Sequence, residues 1–149
     1  MRAVVQRVRH ASVRIDDSIT GQIGYGLVIL LGIRAEDTTR DLQWMADKTV
    51  NLRIFEDDEG KMNRSLADIN AEMLIVSQFT LYGDCRKGRR PGYSNAAPPE
   101  IAEPIYNRFI EEIKSRGIKT ATGTFRAMME IELVNDGPVT LLLDSEKMF

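Results

Sequence analysis

Few side chains in this sequence have the types and spacing that enzyme chemistry usually requires. There is one histidine, His10, beside Ala11-Ser12, and a Ser-His-Asp triad would have to use it. It has no evident partner, so it reads as structural. The single cysteine, Cys85, excludes an intramolecular disulfide and a Cys-rich zinc site. The acidic run Glu56-Asp57-Asp58-Glu59 lacks the spacing of metal ligands. No glycine-rich loop matches a phosphate-binding or dinucleotide fingerprint. Neither a metal nor a cofactor is expected.

Three segments remain unusual. In Ser77-Gln78-Phe79-Thr80-Leu81, polar residues appear at the end of an apolar run. The ends of buried strands are where α/β proteins place sites, although Ser77 and Gln78 could equally satisfy backbone groups there. Asn135-Asp136-Gly137-Pro138-Val139-Thr140 has the residues of a turn. A Gly137-Pro138 bond is expected to be trans on sequence alone, since only about 5–6% of X-Pro bonds are cis. If cis, it would present two carbonyls as a rigid acceptor pair. The third segment carries Arg86, Lys87, Arg89 and Arg90, which are either solvated loop charges or a phosphate-binding cluster.

The elements that must position these segments follow from periodicity. Val4, Val5 and Val8, with Val13 and Ile15, predict two short strands, and Asp16-Asp17-Ser18 turns the chain into a hairpin arm over 19–23. The continuous apolar runs 27–31 and 73–76 predict strands buried on both faces. Asp37-Thr38-Thr39 opens a helix whose stripe is Leu42, Met45, Ala46, Thr49 and Val50. Arg53-Ile54-Phe55 predicts a short strand, ended by the acidic turn 56–60. Residues 83–99 form a long loop, whose length suggests function. A second helix follows Pro98-Pro99-Glu100, with the stripe Ile101, Ile105, Phe109 and Ile113, and Gly117 stops it. Residues 120–125 form a turn-rich link. Met129, Ile131 and Leu133 alternate with Glu130 and Glu132 in a half-buried strand, which the turn at 135–138 sends back as 139–143.

The 149 residues fit one domain, 1–149, with no repeat or linker. A chain of this size buries roughly 70% of its unfolded surface. The fold class expected is α/β in two layers: one strongly bent, barrel-like mixed sheet with two helices packed on one side. No apolar run approaches the length of about 18 residues that a membrane span needs. The N-terminal MRAVVQRVRH lacks a signal-peptide core, so a cytoplasmic location without membrane contact is expected. The net charge of −2 does not advertise nucleic-acid binding, but basic residues at 2, 7 and 9 and at 86–90 could share a face.

These pieces, in order and spacing, resemble the D-aminoacyl-tRNA deacylase (D-tyrosyl-tRNA deacylase) family along essentially the whole chain. The resemblance is carried by Gln6-Arg7-Val8, Gly21 through Gly32, Arg53-Ile54-Phe55 and Gly60-Lys61-Met62-Asn63. It continues through Ser77-Gln78-Phe79-Thr80-Leu81, Lys87-Gly88, Arg90-Pro91, Thr122-Gly123, Phe125 and the 135–140 segment. It implies a homodimer with active sites at the subunit interface, hydrolysing the ester of D-aminoacyl-tRNA, with glycyl-tRNA as a side substrate. Each Gly137-Pro138 bond would be cis, would enter the partner's pocket and would exclude L side chains. Ser77 and Gln78 would surround the ester. The N–H groups of Phe79 and Thr80 would bind its carbonyl. Phe125 and Met129 would lie near the adenine, and Lys87, Arg89 and Arg90 would meet tRNA phosphates. The resemblance leaves open whether Thr80 is a nucleophile or the tRNA 2′-hydroxyl assists water. Gly92-Tyr93 and the tail 143–149 depart from the family pattern. A second reading is a non-catalytic module on the same fold that binds the tRNA end.

Overall fold

In the computed structural model, which describes residues 1–149, the chain runs β1 (Arg2–Ile15), β2 (Ser18–Ile23), β3 (Gly26–Gly32), α1 (Thr39–Asn51), β4 (Phe55–Glu56), β5 (Met62–Arg64) and β6 (Glu72–Ser77). A 3-10 helix (Phe79–Tyr82), α2 (Pro99–Ser115), β7 (Thr120–Thr122) and β8 (Glu130–Asp144) follow. The main sheet has the order β2-β1-β3-β6-β7, with β8 on the other edge of β1. It is mixed: β3, β6 and β7 are parallel, and β1 is antiparallel to β2, β3 and β8. The two ends of this path almost meet. A Cβ on Gly21 of β2 would lie 2.6 Å from the Thr122 carbonyl oxygen of β7, so glycine is required where the barrel nearly closes.

Both helices lie on one face of the sheet. Each belongs to a crossover between parallel strands, β3 to β6 and β6 to β7, and the two step in the same direction along the sheet. Crossovers of the same hand then place their helices on the same side. Leu42, Met45, Phe109 and Ile113 of the helices bury against Leu27, Ile29, Leu31, Met73 and Ile75. The alternate residues of the same strands, Val28, Leu74 and Val76, face the barrel interior with Val8, Val13, Met129, Ile131 and Leu133. Burial on both faces explains why these two strands read as unbroken apolar runs. No helix is long and apolar enough to cross a membrane.

Local chemistry accounts for the helix ends. Thr38 caps α1 in a box with Asp41: its hydroxyl accepts from the Asp41 N–H at 3.4 Å, and its own N–H donates to Asp41 Oδ2 at 2.9 Å. Pro99 occupies the first turn of α2, where its missing N–H has no cost, and Gly117 follows the end at φ +80°.

Five expectations require correction. The link expected over 120–125 begins as a strand, β7, because residues 120–122 pair with Met73 to Ile75 of β6. β1 is one strand rather than two, because it is paired along its length by β8 and changes its other partner from β3 to β2 near the exposed Arg9 and His10. The 135–138 segment does not reverse the chain. β8 leaves β1 at Val8↔Asn135 and rejoins it at Gln6↔Thr140, so residues 136–139 bulge opposite Arg7 alone. The face of α2 that meets the sheet is Ala102, Tyr106, Phe109, Ile110 and Ile113, while Ile101 is exposed and Ile105 half-buried. Successive four-residue steps drift around a helix of 3.6 residues per turn, and the packing selects where the face is centred. Finally, the strand expected at 53–55 is the two-residue β4 at Phe55–Glu56, in a hairpin with β5 that pairs Phe55↔Arg64 and Glu56↔Met62. Asp57 holds its turn by accepting from the N–H groups of Glu59 and Lys61 at 2.9 and 3.0 Å.

Candidate active site

The two parallel strands end at Gly32 and Ser77, and the residues after them turn over the barrel end. There a cleft of about 490 Å³ opens. Ser77, Gln78 and Phe79 form one wall, Phe125, Arg126, Ala127, Met128 and Met129 another, and Ile33, Val76, Ala102 and Ile131 the apolar floor. The cleft thus brings together five residues named from sequence: Ser77, Gln78, Phe79, Phe125 and Met129. No histidine, cysteine or carboxylate lines it.

Backbone bonding explains how the Ser77 wall is held. The Gln78 N–H donates to the Leu31 carbonyl at 2.7 Å, which extends the β3–β6 ladder one residue past the strand. The chain then winds directly into the 3-10 helix, whose first bond runs from the Leu81 N–H to the Gln78 carbonyl at 3.2 Å. The N–H groups of Phe79 and Thr80 open this helix, have no intrahelical acceptor and meet no capping side chain. The Gln78 amide donates to the Thr80 hydroxyl oxygen. Thr80 itself is exposed, beside the cleft rather than lining it.

Arg2 fixes the far end of the 3-10 helix. Its guanidinium donates to the Leu81 carbonyl at 3.1 Å and to Asp144 at 3.0 Å, and stacks over Tyr82 at 4.7 Å. On α2, the buried Tyr106 hydroxyl donates to the Ile75 carbonyl at 2.8 Å, two residues before Ser77. Burial raises the pKa of that hydroxyl well above its ordinary value, so it stays a donor. The opposite wall is tied to the same carbonyl by the Gly123 N–H at 3.2 Å.

The 83–99 loop lies beside the cleft. Asp84 and Gly92 exchange backbone bonds of 2.7 and 3.0 Å at its neck, and Tyr93 packs edge-on against Phe79 at 5.1 Å between ring centroids. Lys87, Arg89 and Arg90 are exposed at the tip, while Arg86 is paired with Asp84 at 2.7 Å. That pairing holds the half-buried Asp84 carboxyl at about 2.

Gly137 and Pro138 do not line the cleft. Their bond is cis, Gly137 has φ +117°, and both residues are exposed. They sit on the bulge opposite Arg7, whose β3 partner Leu27 lies five residues before Gly32, the cleft end of that strand. Asn135 closes the bulge by donating to the Arg7 and Val139 carbonyls at 3.0 and 2.9 Å. Asp136 receives Arg7 and Arg9, each at 3.0 Å, and the Tyr25 hydroxyl at 3.3 Å. Burial raises the Tyr25 pKa, Arg7 opposes it and Asp136 adds to it.

His10 lines a separate polar groove with Glu72 and Lys119. Sequence reasoning missed Arg126 and Met128. Arg126 stands at φ +66°, a conformation uncommon outside glycine, and Met128 is 91% exposed. Neither leaves a signal, because the turn that exposes them depends on closure of the barrel.

The sequence pattern of the family described as D-Tyr-tRNA(Tyr) deacylase matches residues 4–144. The D-aminoacyl-tRNA deacylase of Desulfotalea psychrophila is 62% identical over 149 residues, covering all of both chains. That of Clostridioides difficile is 58% identical, again covering both in full. A solved structure titled "c-Myc DNA Unwinding Element Binding Protein" superposes with a TM-score of 0.91 at 43% identity, over 97% of this chain and 98% of that one. A probable eukaryotic D-amino acid tRNA deacylase shares the fold at a TM-score of 0.83 and 18% identity, over 95% and 97%.

Proposed function

The chain belongs to the D-Tyr-tRNA(Tyr) deacylase family, and from that membership we propose that it hydrolyses the ester bond of D-aminoacyl-tRNA, releasing the D-amino acid and free tRNA. The observation that carries this reading is the cleft itself. It joins the Ser77-Gln78-Phe79 wall to Phe125 and Met129 and contains no side-chain base. Such a site suits a substrate that brings its own catalytic group.

In this reading Phe125 and Met129 hold the terminal adenine, for which an aromatic face and a polarisable thioether are suitable. The ester then lies along Ser77 and Gln78. Its carbonyl oxygen meets the N–H groups of Phe79 and Thr80, which are pre-aimed because the 3-10 helix leaves them without acceptors. Each such donor is worth about 2.7–4 kcal/mol to an oxyanionic transition state. Water attacks the carbonyl carbon, and the vicinal 2′-hydroxyl assists it. Thr80 is disfavoured as nucleophile because its oxygen faces the Gln78 amide, a donor, where activation needs a base.

Chiral selection belongs to a homodimer. Gly137 and Pro138 are exposed and stand apart from the cleft of their own chain. A two-fold axis would let each subunit give this pair to its partner's cleft and receive the same in return. The paired carbonyls would take the ammonium group, leaving room only for hydrogen on the L side. Glycyl-tRNA would therefore pass. The work would be chiral proofreading during translation, in the cytoplasm.

Incubation with D-Tyr-tRNA, Gly-tRNA and L-Tyr-tRNA tests the proposal. Ester loss is expected for the first two and not the third. Absence of D-ester hydrolysis would return the chain to a binding module for the tRNA end. Sedimentation showing only monomer at micromolar concentration would remove the shared site.

A further inference from the structure

Phe79 and Tyr93 form an exposed aromatic pair at the mouth of the cleft, 54% and 41% accessible. Their rings meet at 71°, so the pair offers both an edge and a face to solvent. Two features hold Tyr93 there. The loop neck at Asp84 and Gly92 ends immediately before it. Gly83 gives it space, since a Cβ at that position would lie 3.2 Å from the Tyr93 ring. The same loop carries the open cations of Lys87, Arg89 and Arg90. Moving outward from the cleft, one therefore meets Phe79, then Tyr93, then positive charge. Aromatic faces beside a cationic track are the means by which proteins bind single strands: bases stack and phosphates pair with the cations.

We propose that Phe79 and Tyr93 stack the penultimate base of the single-stranded tRNA 3′ end, beyond the terminal adenosine, while the basic loop tip takes the phosphates on its 5′ side. This rests on the tRNA reading above and adds a second nucleotide subsite to it. Phe79 contributes its ring to this subsite and its N–H to the ester. The contact is indifferent to base identity, because every base has a stacking face. It also gives Tyr93, at a departure from the family pattern, a specific duty that any aromatic side chain can perform.

Uncharged tRNA with 2-aminopurine in place of the penultimate base reports the stacking directly, because stacking quenches its fluorescence. Wild type is expected to quench it on binding, and so are Tyr93→Phe and Tyr93→Trp. Tyr93→Leu, which keeps apolar bulk without a π-face, is expected to lose most of the quench and to bind roughly fivefold to tenfold more weakly. tRNA abasic at that position should bind wild type weaker by the same factor, with no further loss for Tyr93→Leu. An undiminished quench in Tyr93→Leu would overturn the proposal. So would a lowered sedimentation coefficient in that variant, which would make the pair a contact between copies. If wild type quenches the probe yet leaves D-aminoacyl esters intact, the hydrolytic reading fails and the stacking subsite stands.

Discussion

Gly123 offers a sharp separation of folding from binding. It begins the Phe125–Met129 wall of the cleft, and a Cβ placed on it would lie 2.4 Å from Met129 Sδ and 3.5 Å from its Cε. Non-bonded carbon atoms settle near 3.5–4.0 Å apart, so in Gly123→Ala the thioether must move by about 1 Å or more. The next neighbour, Val13 Cγ1, is already at an ordinary 3.7 Å, so the whole strain falls on Met129. Overpacking costs about 1–3 kcal/mol. An unbranched methionine at a cleft wall should place this case near 1 kcal/mol, because it can swing toward open space. For a chain of this size that lowers Tm by about 2–4 °C. The effect on substrate should be of similar size in free energy, since in the proposed reading the displaced side chain would no longer meet the adenine. KM for D-Tyr-tRNA should rise roughly fivefold, the factor that about 1 kcal/mol of weaker binding implies, with kcat nearly unchanged. Steady-state kinetics on Gly123→Ala, Met129→Ala and the double variant check this, with calorimetry for Tm. If Met129 transmits the effect, the double variant should be no worse than Met129→Ala. Additive losses, or an unchanged KM in Gly123→Ala, would refute the reasoning.

Replacing Lys87, Arg89 and Arg90 with alanine should weaken tRNA binding and flatten the plot of log K against log salt by about 0.7–0.9 for each phosphate that the loop no longer neutralises; an unchanged slope in filter-binding titrations would leave these cations merely solvated. Tyr106→Phe should cost about 0.5–1.5 kcal/mol in urea unfolding. The cost stays moderate because the Ile75 carbonyl keeps its bond from the Gly123 N–H. The Asp41 carboxyl sits at about 2: burial pushes it up, but bonds from the Thr38 hydroxyl and N–H outweigh burial. Its folded pKa is therefore below the unfolded value of about 3.9, so its contribution is complete above about pH 4 and disappears as pH falls toward 2. Thr38→Ala should lose about 1 kcal/mol at neutral pH, and its deficit against wild type should narrow over that acid range in urea titrations.

Much of this protein is readable from short stretches of chain, because the causes are local. The runs 27–31 and 73–76 announce strands buried on both sides, and β3 and β6 are buried on both sides. The helix stripe from Leu42 to Val50 needs only a period of 3.6, and all five of its residues are buried. The polar step from Val76 to Ser77 and Gln78 marks a strand end, and there the cleft opens. What the sequence did not determine by pattern depends on partners far along the chain. The 135–138 segment has the composition of a reversing turn. It becomes a bulge in a single strand because β8 finds β1, more than a hundred residues away, on both sides of it. The buried face of α2 was misplaced by one position at its start, since packing against the sheet, and not the isoleucine spacing, centres the helix. Within the second cleft wall Phe125 and Met129 were named for the site only through the family resemblance, and Arg126 and Met128 left no pattern, for the same reason. Residues 123–129 acquire a common direction only after β2 and β7 approach closely enough to nearly close the barrel. Local propensity specifies which elements form, and long-range pairing decides which side chains they bring face to face.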